Sequence, residues 1–293
     1  GIITGCSNKS DFPAGKIKVA DKLIDHTPVI DEQLMSLYLW AADYYQFPVG
    51  QALQTSLPAQ IRKGKPAQEK QMPSWQASTT GESLDQSTLK NAPRQLQVLS
   101  LIIAQKKMTV AALKESVNGE VSACLKTLAD KGLIEEISTP DSTKNNPDEI
   151  YGDDAPLQLN TQQQSALSAI RENIEHYSVS LLEGVTGSGK TEIYLQAIAD
   201  VLEKGLQALV LVPEISLTPQ TLRRFESRFN REIAVFHSGL TGTQRLSAWL
   251  RAGNGKADII IGTRSAIFTP LARPGLIIVD EEHDASYKQQ DGF

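Results

Sequence analysis

The sequence predicts an α/β protein whose carboxyl-terminal half is a parallel-sheet, phosphate-binding lobe preceded by two smaller modules. Three observations carry that expectation. A glycine-rich loop joins a short apolar run to a helical pattern at 179–194, V-S-L-L-E-G-V-T-G-S-G-K-T-E-I-Y. Four further runs, A-L-V-L-V-P, I-A-V-F-H, A-D-I-I-I-G-T and G-L-I-I-V-D, alternate with helical patterns after it. Each is continuously aliphatic, as strands buried on both faces of a parallel sheet must be.

Within the loop, Gly184, Gly189, Lys190 and Thr191 satisfy G-x-x-x-x-G-K-[ST], the pattern that cradles nucleotide phosphates. Phosphate oxygens can be surrounded closely only by backbone N–H groups on a chain that turns without β-carbon clashes, which Gly184, Gly187 and Gly189 supply. Lys190 is expected to reach the β/γ-phosphates, and Thr191 to offer its hydroxyl to Mg²⁺. Ser188 and Glu192 complete the expected ATP-binding set, and the helix that begins here adds its positive N-terminal end.

The 293 residues suffice for about two domains, and 40% hydrophobic with 22% charged residues is ordinary globular usage. No apolar run has the length of a membrane span and no secretory signal leads the chain, so the expected location is cytoplasmic, with no membrane partner. Cys6 and Cys124 stand apart without metal spacing, which excludes a zinc site or disulfide framework built from these residues. The net charge of −5 is spread as +1 over 1–66, −4 over 67–155 and −2 over 156–293, so any nucleic-acid site must be local. The chain opens on Gly within an apolar run and ends directly after a motif-dense stretch, which reads as a fragment cut at both ends.

Taken in order, residues 1–66 are expected to form a small α+β module. Strand-like I-I-T-G and K-I-K-V-A precede a helix over D-E-Q-L-M-S-L-Y-L-W-A-A-D-Y-Y, with Asp31 as N-cap. Its aromatics, Tyr38, Trp40, Tyr44, Tyr45 and Phe47, are expected to pack a core rather than stack on bases, and R-K-G-K at 62–65 to be a solvated edge. Residues 67–87, rich in Gln, Ser, Thr and Pro, read as a linker in which Trp75 stands alone. Residues 88–138 give helix, helix, helix, a stop at Gly132 and a strand, the order of a winged-helix module. Such modules offer a helix to DNA, although the acidic charge here leaves a spacer role open. A second, acidic linker is expected over 139–155, and 156–293 form the nucleotide-binding lobe.

A phosphate loop needs a carboxylate at the end of a neighbouring strand for Mg²⁺ and a second group to orient the attacking water. G-L-I-I-V-D-E-E-H supplies both: Asp280 for Mg²⁺ and Glu281 as general base. His283 is placed to sense the γ-phosphate or couple it to nucleic acid, or else serves structure alone. Loops at the carboxyl ends of the other strands carry Pro213 and Glu214, and Gly262, Thr263 and Arg264, with groups suited to a DNA backbone.

An aliphatic strand ending in D-E-E-H, about ninety residues after G-K-T, resembles motif II of superfamily 2 helicases. V-P-E-I-S-L-T-P-Q and G-T-R-S-A-I-F fall where that superfamily has motifs Ia and Ib. Together with F-H-S-G-L, L-W-A-A-D-Y-Y and D-E-E-H-D-A-S-Y-K-Q-Q-D-G, they resemble the primosomal replication-restart helicases of bacteria. The resemblance implies a RecA-like first helicase lobe, a partial 3′-end-binding domain and a winged helix. It implies a 3′→5′ ATP-dependent DNA helicase that binds stalled forks, D-loops and single-stranded DNA, and starts primosome assembly. Other primosome proteins and single-strand-binding protein are the implied partners, at the nucleoid. Gln163 would read adenine, while Tyr287 and Phe293 would begin an aromatic loop coupling DNA to ATP. Arginine fingers and a zinc insertion of the family belong to parts beyond this sequence, so weak ATP binding and poor hydrolysis are expected of this chain alone. The alternatives are a duplex-DNA translocase, a non-catalytic fork-binding scaffold and a P-loop ATPase without a nucleic-acid role.

Overall fold

The computed structural model describes residues 2–69, 71–84, 89–90, 92–140, 155–185 and 187–288. The chain divides into two compact units, residues 1–68 with 146–293, and residues 69–145.

The first unit is built on a parallel sheet of order β5-β6-β4-β7, formed by β4 (Gln207–Leu211), β5 (Ile233–Phe236), β6 (Ile259–Gly262) and β7 (Pro274–Val279). These are the four aliphatic runs that follow the loop. Every residue of β4 and β6 is buried, which requires cover on both faces. On one face lie α9 (Lys190–Glu203) and α10 (Pro219–Arg228), whose Tyr194, Leu195, Ile198 and Phe225 meet Ala208, Val210, Ile259 and Ile261. The other face is covered by α11 (Gly242–Gly253) together with α1 (Glu32–Tyr44) and α2 (Val49–Ser56). The side chain of Asp31 caps α1 as expected, accepting from the Leu34 N–H at 2.7 Å. The helix α8 (Thr161–Glu172) packs on α9 through Leu167, Ile193 and Ala197, and opens with a reciprocal capping box between Asn160 and Gln163.

Two expectations for this unit change. The first segment does not close a core of its own. Leu34, Tyr38 and Leu53 join Leu209, Phe236 and Trp249 in a single cluster, because the segment has too few buried apolar residues to do otherwise. Its strand-like runs at 2–5 and 16–20 lie exposed and unpaired among the described residues, with Val19 at 90% exposure. The run before the phosphate loop, expected as a strand, has no ladder either. Val179 and Leu181 are 83% and 78% exposed, and only Leu182 packs inward, towards α8 and α9. A strand exists only through a neighbour, and among the described residues the sheet ends at β7 on one side, with Ile277 51% exposed.

The aromatics of α1 also divide differently. The buried stripe is Leu34, Tyr38, Ala41 and Ala42, so Trp40, Tyr44 and Tyr45 fall on other faces, exposed, where Trp40 stacks on Tyr44 at 5.1 Å and Tyr45 meets Tyr44 edge-on at 4.9 Å. The R-K-G-K run, at the end of α3 (Ala59–Arg62), is exposed as expected.

The second unit is a winged-helix-like module. Three antiparallel strands in the order β2-β1-β3, β1 (Gln71–Ala77), β2 (Lys107–Thr109) and β3 (Ile134–Pro140), accompany α4 (Thr79–Glu82), α5 (Pro93–Gln105), α6 (Val110–Val117) and α7 (Ser122–Asp130). Val98, Leu99, Ile102, Leu113, Leu125 and Leu128 form its core, with Cys124 partly buried against them. Gly132, at φ +67°, lets the chain leave α7 for β3. The expected linker over 67–87 is corrected: it contains β1, the central strand, and Trp75 packs on the core rather than standing alone. Its polar composition hid a strand whose pairing comes from residues over thirty positions away. The stretch 141–154, most of the second expected linker, lies outside the described residues, as do Thr186 and Phe293.

The tightest tie between the first segment and the sheet is Tyr38. Fully buried, it stacks on Phe268 with ring centroids 5.1 Å apart and planes 9° apart, and its hydroxyl donates to the Phe268 carbonyl at 3.2 Å. Tyr38→Ala is expected to lower stability by about 3–5 kcal/mol and Tyr38→Phe by about 1 kcal/mol, as read from urea unfolding.

Candidate nucleotide and DNA site

The phosphate loop turns through Gly187 and Gly189 at φ +80° and +84°, angles at which a side chain would be strained. A β-carbon on Gly189 would also collide with the Gln163 amide. α9 then starts at Lys190, so the first N–H groups of that helix face the loop. The Lys190 ammonium donates to the Gly184 carbonyl at 2.6 Å and to Val185 at 3.4 Å.

β7 delivers D-E-E-H to the same place. Residues Gly187–Glu192 line a cavity of about 660 Å³ together with Asp280 and Glu281, within the size range of small-molecule sites. The Tyr194 hydroxyl on α9 lies 3.5 Å from Asp280 Oδ2, a direct if long contact between the two motifs. Burial, reinforced by the Glu281 carboxylate, raises the Asp280 carboxyl above its usual range, while Lys190 pulls it back. Burial likewise pushes the Tyr194 hydroxyl up to about 12, so it remains a donor. Glu281 adopts φ +47°, a left-handed conformation that costs a non-glycine residue about 1–2 kcal/mol. Such strain persists where surrounding structure overrides it, and from this turn Glu281 lines the cavity.

A Thr hydroxyl and one half-buried carboxylate beside a second carboxylate form a hard oxygen set that fits Mg²⁺, which binds through one or two carboxylates and keeps several waters. A cation there would also relieve the repulsion between Asp280 and Glu281.

The remaining predicted residues are placed as follows. Gln163 reaches the loop, but its amide is engaged, donating to the Ser188 carbonyl at 2.8 Å and accepting from the Asn160 N–H at 2.9 Å. Glu192 lines the cavity, yet its carboxylate is used within the chain. It accepts from Arg228 at 2.9 Å, Gln196 at 2.9 Å and the Leu157 N–H at 3.1 Å. Glu192 therefore locks α9 to α10 and to the segment entering α8. Pro213 leads the turn Glu214–Ser216, and Glu214 accepts from the Ser238 hydroxyl at 2.6 Å, tying the loop after β4 to the loop after β5. Thr263 leads the turn Arg264–Phe268 after β6. Arg264 donates to the Ser286 carbonyl at 3.4 Å, and the Tyr287 hydroxyl donates to the Asp280 carbonyl at 2.8 Å. Tyr287 is half-buried and raised in pKa by that burial, so it braces the D-E-E-H turn rather than standing free as a stacking face. His283 is exposed, 3.6 Å from Glu281.

The sequence reading missed Tyr194, Arg224 and Arg228. A signal for the arginines exists: Phe225 and Phe229 mark the buried stripe of α10, which puts Arg224 and Arg228 together on the adjoining stripe, one turn apart.

A DEAD/DEAH box helicase family model matches residues 160–293, and a 3′ DNA-binding domain model matches residues 1–58. The phosphate loop, the D-E-E-H turn and the four parallel strands are thus those of a helicase lobe joined to a DNA-binding segment. Curated relatives extend the match to the whole chain. The replication restart protein PriA of Haemophilus influenzae is 43% identical over 300 residues, covering 100% of this chain and 40% of the relative. That of Bacillus subtilis is 33% identical over 356 residues, covering 99% and 44%. That of Chlamydia trachomatis is 39% identical over 300 residues, covering 99% and 38%. The chain belongs to the family of the replication restart protein PriA. It spans about two fifths of the length of these relatives.

The Glu192–Arg228 pair, with side chains 11% and 8% exposed, sets how α10 faces the cavity. Arg228→Ala strands a buried carboxylate and is expected to cost about 3–5 kcal/mol. Glu192→Gln combined with Arg228→Met should recover much of that loss in thermal unfolding.

Proposed function

We propose that this chain forms the ATP- and DNA-engaging part of a 3′→5′ DNA helicase that recognises stalled forks and D-loops and initiates primosome assembly for replication restart. The observation that carries the proposal is the single cavity in which Lys190 and Thr191 meet Asp280 and Glu281. Lys190 would exchange its carbonyl partners for the β/γ-phosphates, and the loop N–H groups would hold the phosphate chain. Thr191 and Asp280 would hold Mg²⁺, which neutralises charge developing on the phosphoryl oxygens. Glu281 would take the proton of the attacking water, and Gln163 would turn from Ser188 to adenine. Gly184, Gly187, Ser188 and Gly189 complete the cradle, with Glu192 holding its helix in place.

The loops carrying Pro213, Glu214, Thr263 and Arg264 follow the carboxyl ends of β4 and β6, the sheet edge at which the phosphate loop also lies. That placement supports contact of a single strand beside the nucleotide. The chain Arg264–Ser286 and Tyr287–Asp280 gives strand occupancy a physical route to the metal carboxylate. His283 would act from the same turn. The match of residues 1–58 to a 3′ DNA-binding domain supports recognition of a DNA end or fork by the first segment. Single-strand-binding protein and other primosome proteins are the partners proposed, in the cytoplasm at the nucleoid. No described helix is long and apolar enough to cross a membrane. Zinc is proposed only for other parts of such helicases.

Two substitutions test the proposal. Lys190→Ala should abolish Mg-ATP binding by calorimetry while forked-DNA binding persists and falls steeply with salt. In the full-length protein, Glu281→Gln should retain ATP binding but lower DNA-stimulated hydrolysis by about 10²–10⁴-fold. Strand displacement that survives Lys190→Ala would favour a scaffold over a motor.

A further inference from the structure

We propose that Arg224 is a second cationic contact of the nucleotide cavity, directed at the terminal phosphate of a bound nucleoside triphosphate; this rests on the ATP reading of that cavity. Arg224 lines the cavity with Lys190, Thr191 and Asp280, although it arrives from a different element, the middle of α10. Two features hold it there. Phe225, adjacent in sequence, is 1% exposed in the core shared with Tyr194 and Ile198 of α9, so the helix cannot roll. Arg228, one turn further on, is clamped to Glu192, so the helix cannot slide along α9.

The two arginines thus divide their work. Arg228 is spent within the chain, whereas Arg224 is exposed and meets no carboxylate within ion-pair distance among the described residues. Arg224 shares its cavity with Thr191 and Asp280, the residues at which the Mg²⁺ and terminal phosphate of the ATP reading would sit. A guanidinium is weakly hydrated and its planar fork matches two phosphate oxygens at once. Its long side chain, with no internal partner to break, can swing to a ligand at little cost.

The test compares Mg-ATP and Mg-ADP binding to the 293-residue chain by calorimetry, with Lys190→Ala as the reference variant. Arg224→Ala should weaken Mg-ATP about tenfold and Mg-ADP by less than about threefold. Arg224→Lys should recover part of the loss. Because Arg224 is exposed, the ligand-free melting temperature should not move, which separates a phosphate contact from a folding role. Equal losses for ATP and ADP, or wild-type affinity for both, would overturn the assignment while Lys190→Ala still abolishes binding. Wild-type affinity in Lys190→Ala would instead remove the ATP reading itself.

Discussion

Burial of both faces of β4 and β6 is the constraint from which the rest of this molecule follows. Nine consecutive-strand positions without a solvent-facing side chain must be covered by helices on each side. Parallel strands covered in that way need a crossover between each pair, and every crossover leaves a loop at a strand's carboxyl end. The turns Glu214–Ser216, 237–240, Arg264–Phe268 and 280–287 are those loops, and the phosphate loop joins them at one edge of the sheet. Placement of the chemistry is thus a consequence of how the aliphatic runs hide from water. The first segment obeys the same constraint: lacking apolar surface enough for a core, α1 and α2 complete the cover over Leu209, Phe236 and Trp249.

Upon that frame, the site is organised by charge. Lys190 is held by carbonyls, which are neutral acceptors and can be exchanged for phosphate oxygens. Asp280 and Glu281 repel one another at the end of β7, and Glu281 is further strained at φ +47°. Both features favour arrival of a cation and a polyphosphate between them. By contrast, Glu192 and Arg228 are neutralised by each other and fix the walls. One cavity therefore contains charges proposed for the ligand and charges paired within the chain, and their burial separates the two kinds. Glu192 and Arg228 are nearly buried, whereas Arg224 and Glu281 are exposed.

Much of this was legible in the residues. The four aliphatic runs became the four parallel strands, because continuous burial leaves that arrangement little alternative. G-S-G-K-T and D-E-E-H converge because the first opens α9, which packs on β4 and β7, and the second follows the end of β7. What was not legible depended on distant partners. β1 looked like a linker since Gln71–Ala77 is polar, and only its ladders to β2 and β3 make it a strand. The run at 179–183 had the composition of a strand but finds no ladder among the described residues. Trp40, Tyr44 and Tyr45 lie outside because Leu34, Tyr38 and Ala41 set the helical phase, which aromatic content alone does not reveal. Glu192 was expected at the nucleotide because it follows G-K-T, yet its burial against Arg228, 36 positions away, turns it inward.

The central claim is that the lysine–threonine pair of the phosphate loop and the carboxylates after β7 serve one magnesium–nucleotide. The most direct measurement is a crystal structure of the chain with Mg²⁺ and a beryllium-fluoride complex of ADP. The account predicts one nucleotide, with Lys190 on the phosphate analogue, Thr191 on the metal and Asp280 within one water of it. A nucleotide held by the loop with Asp280 and Glu281 facing away from it would contradict the account.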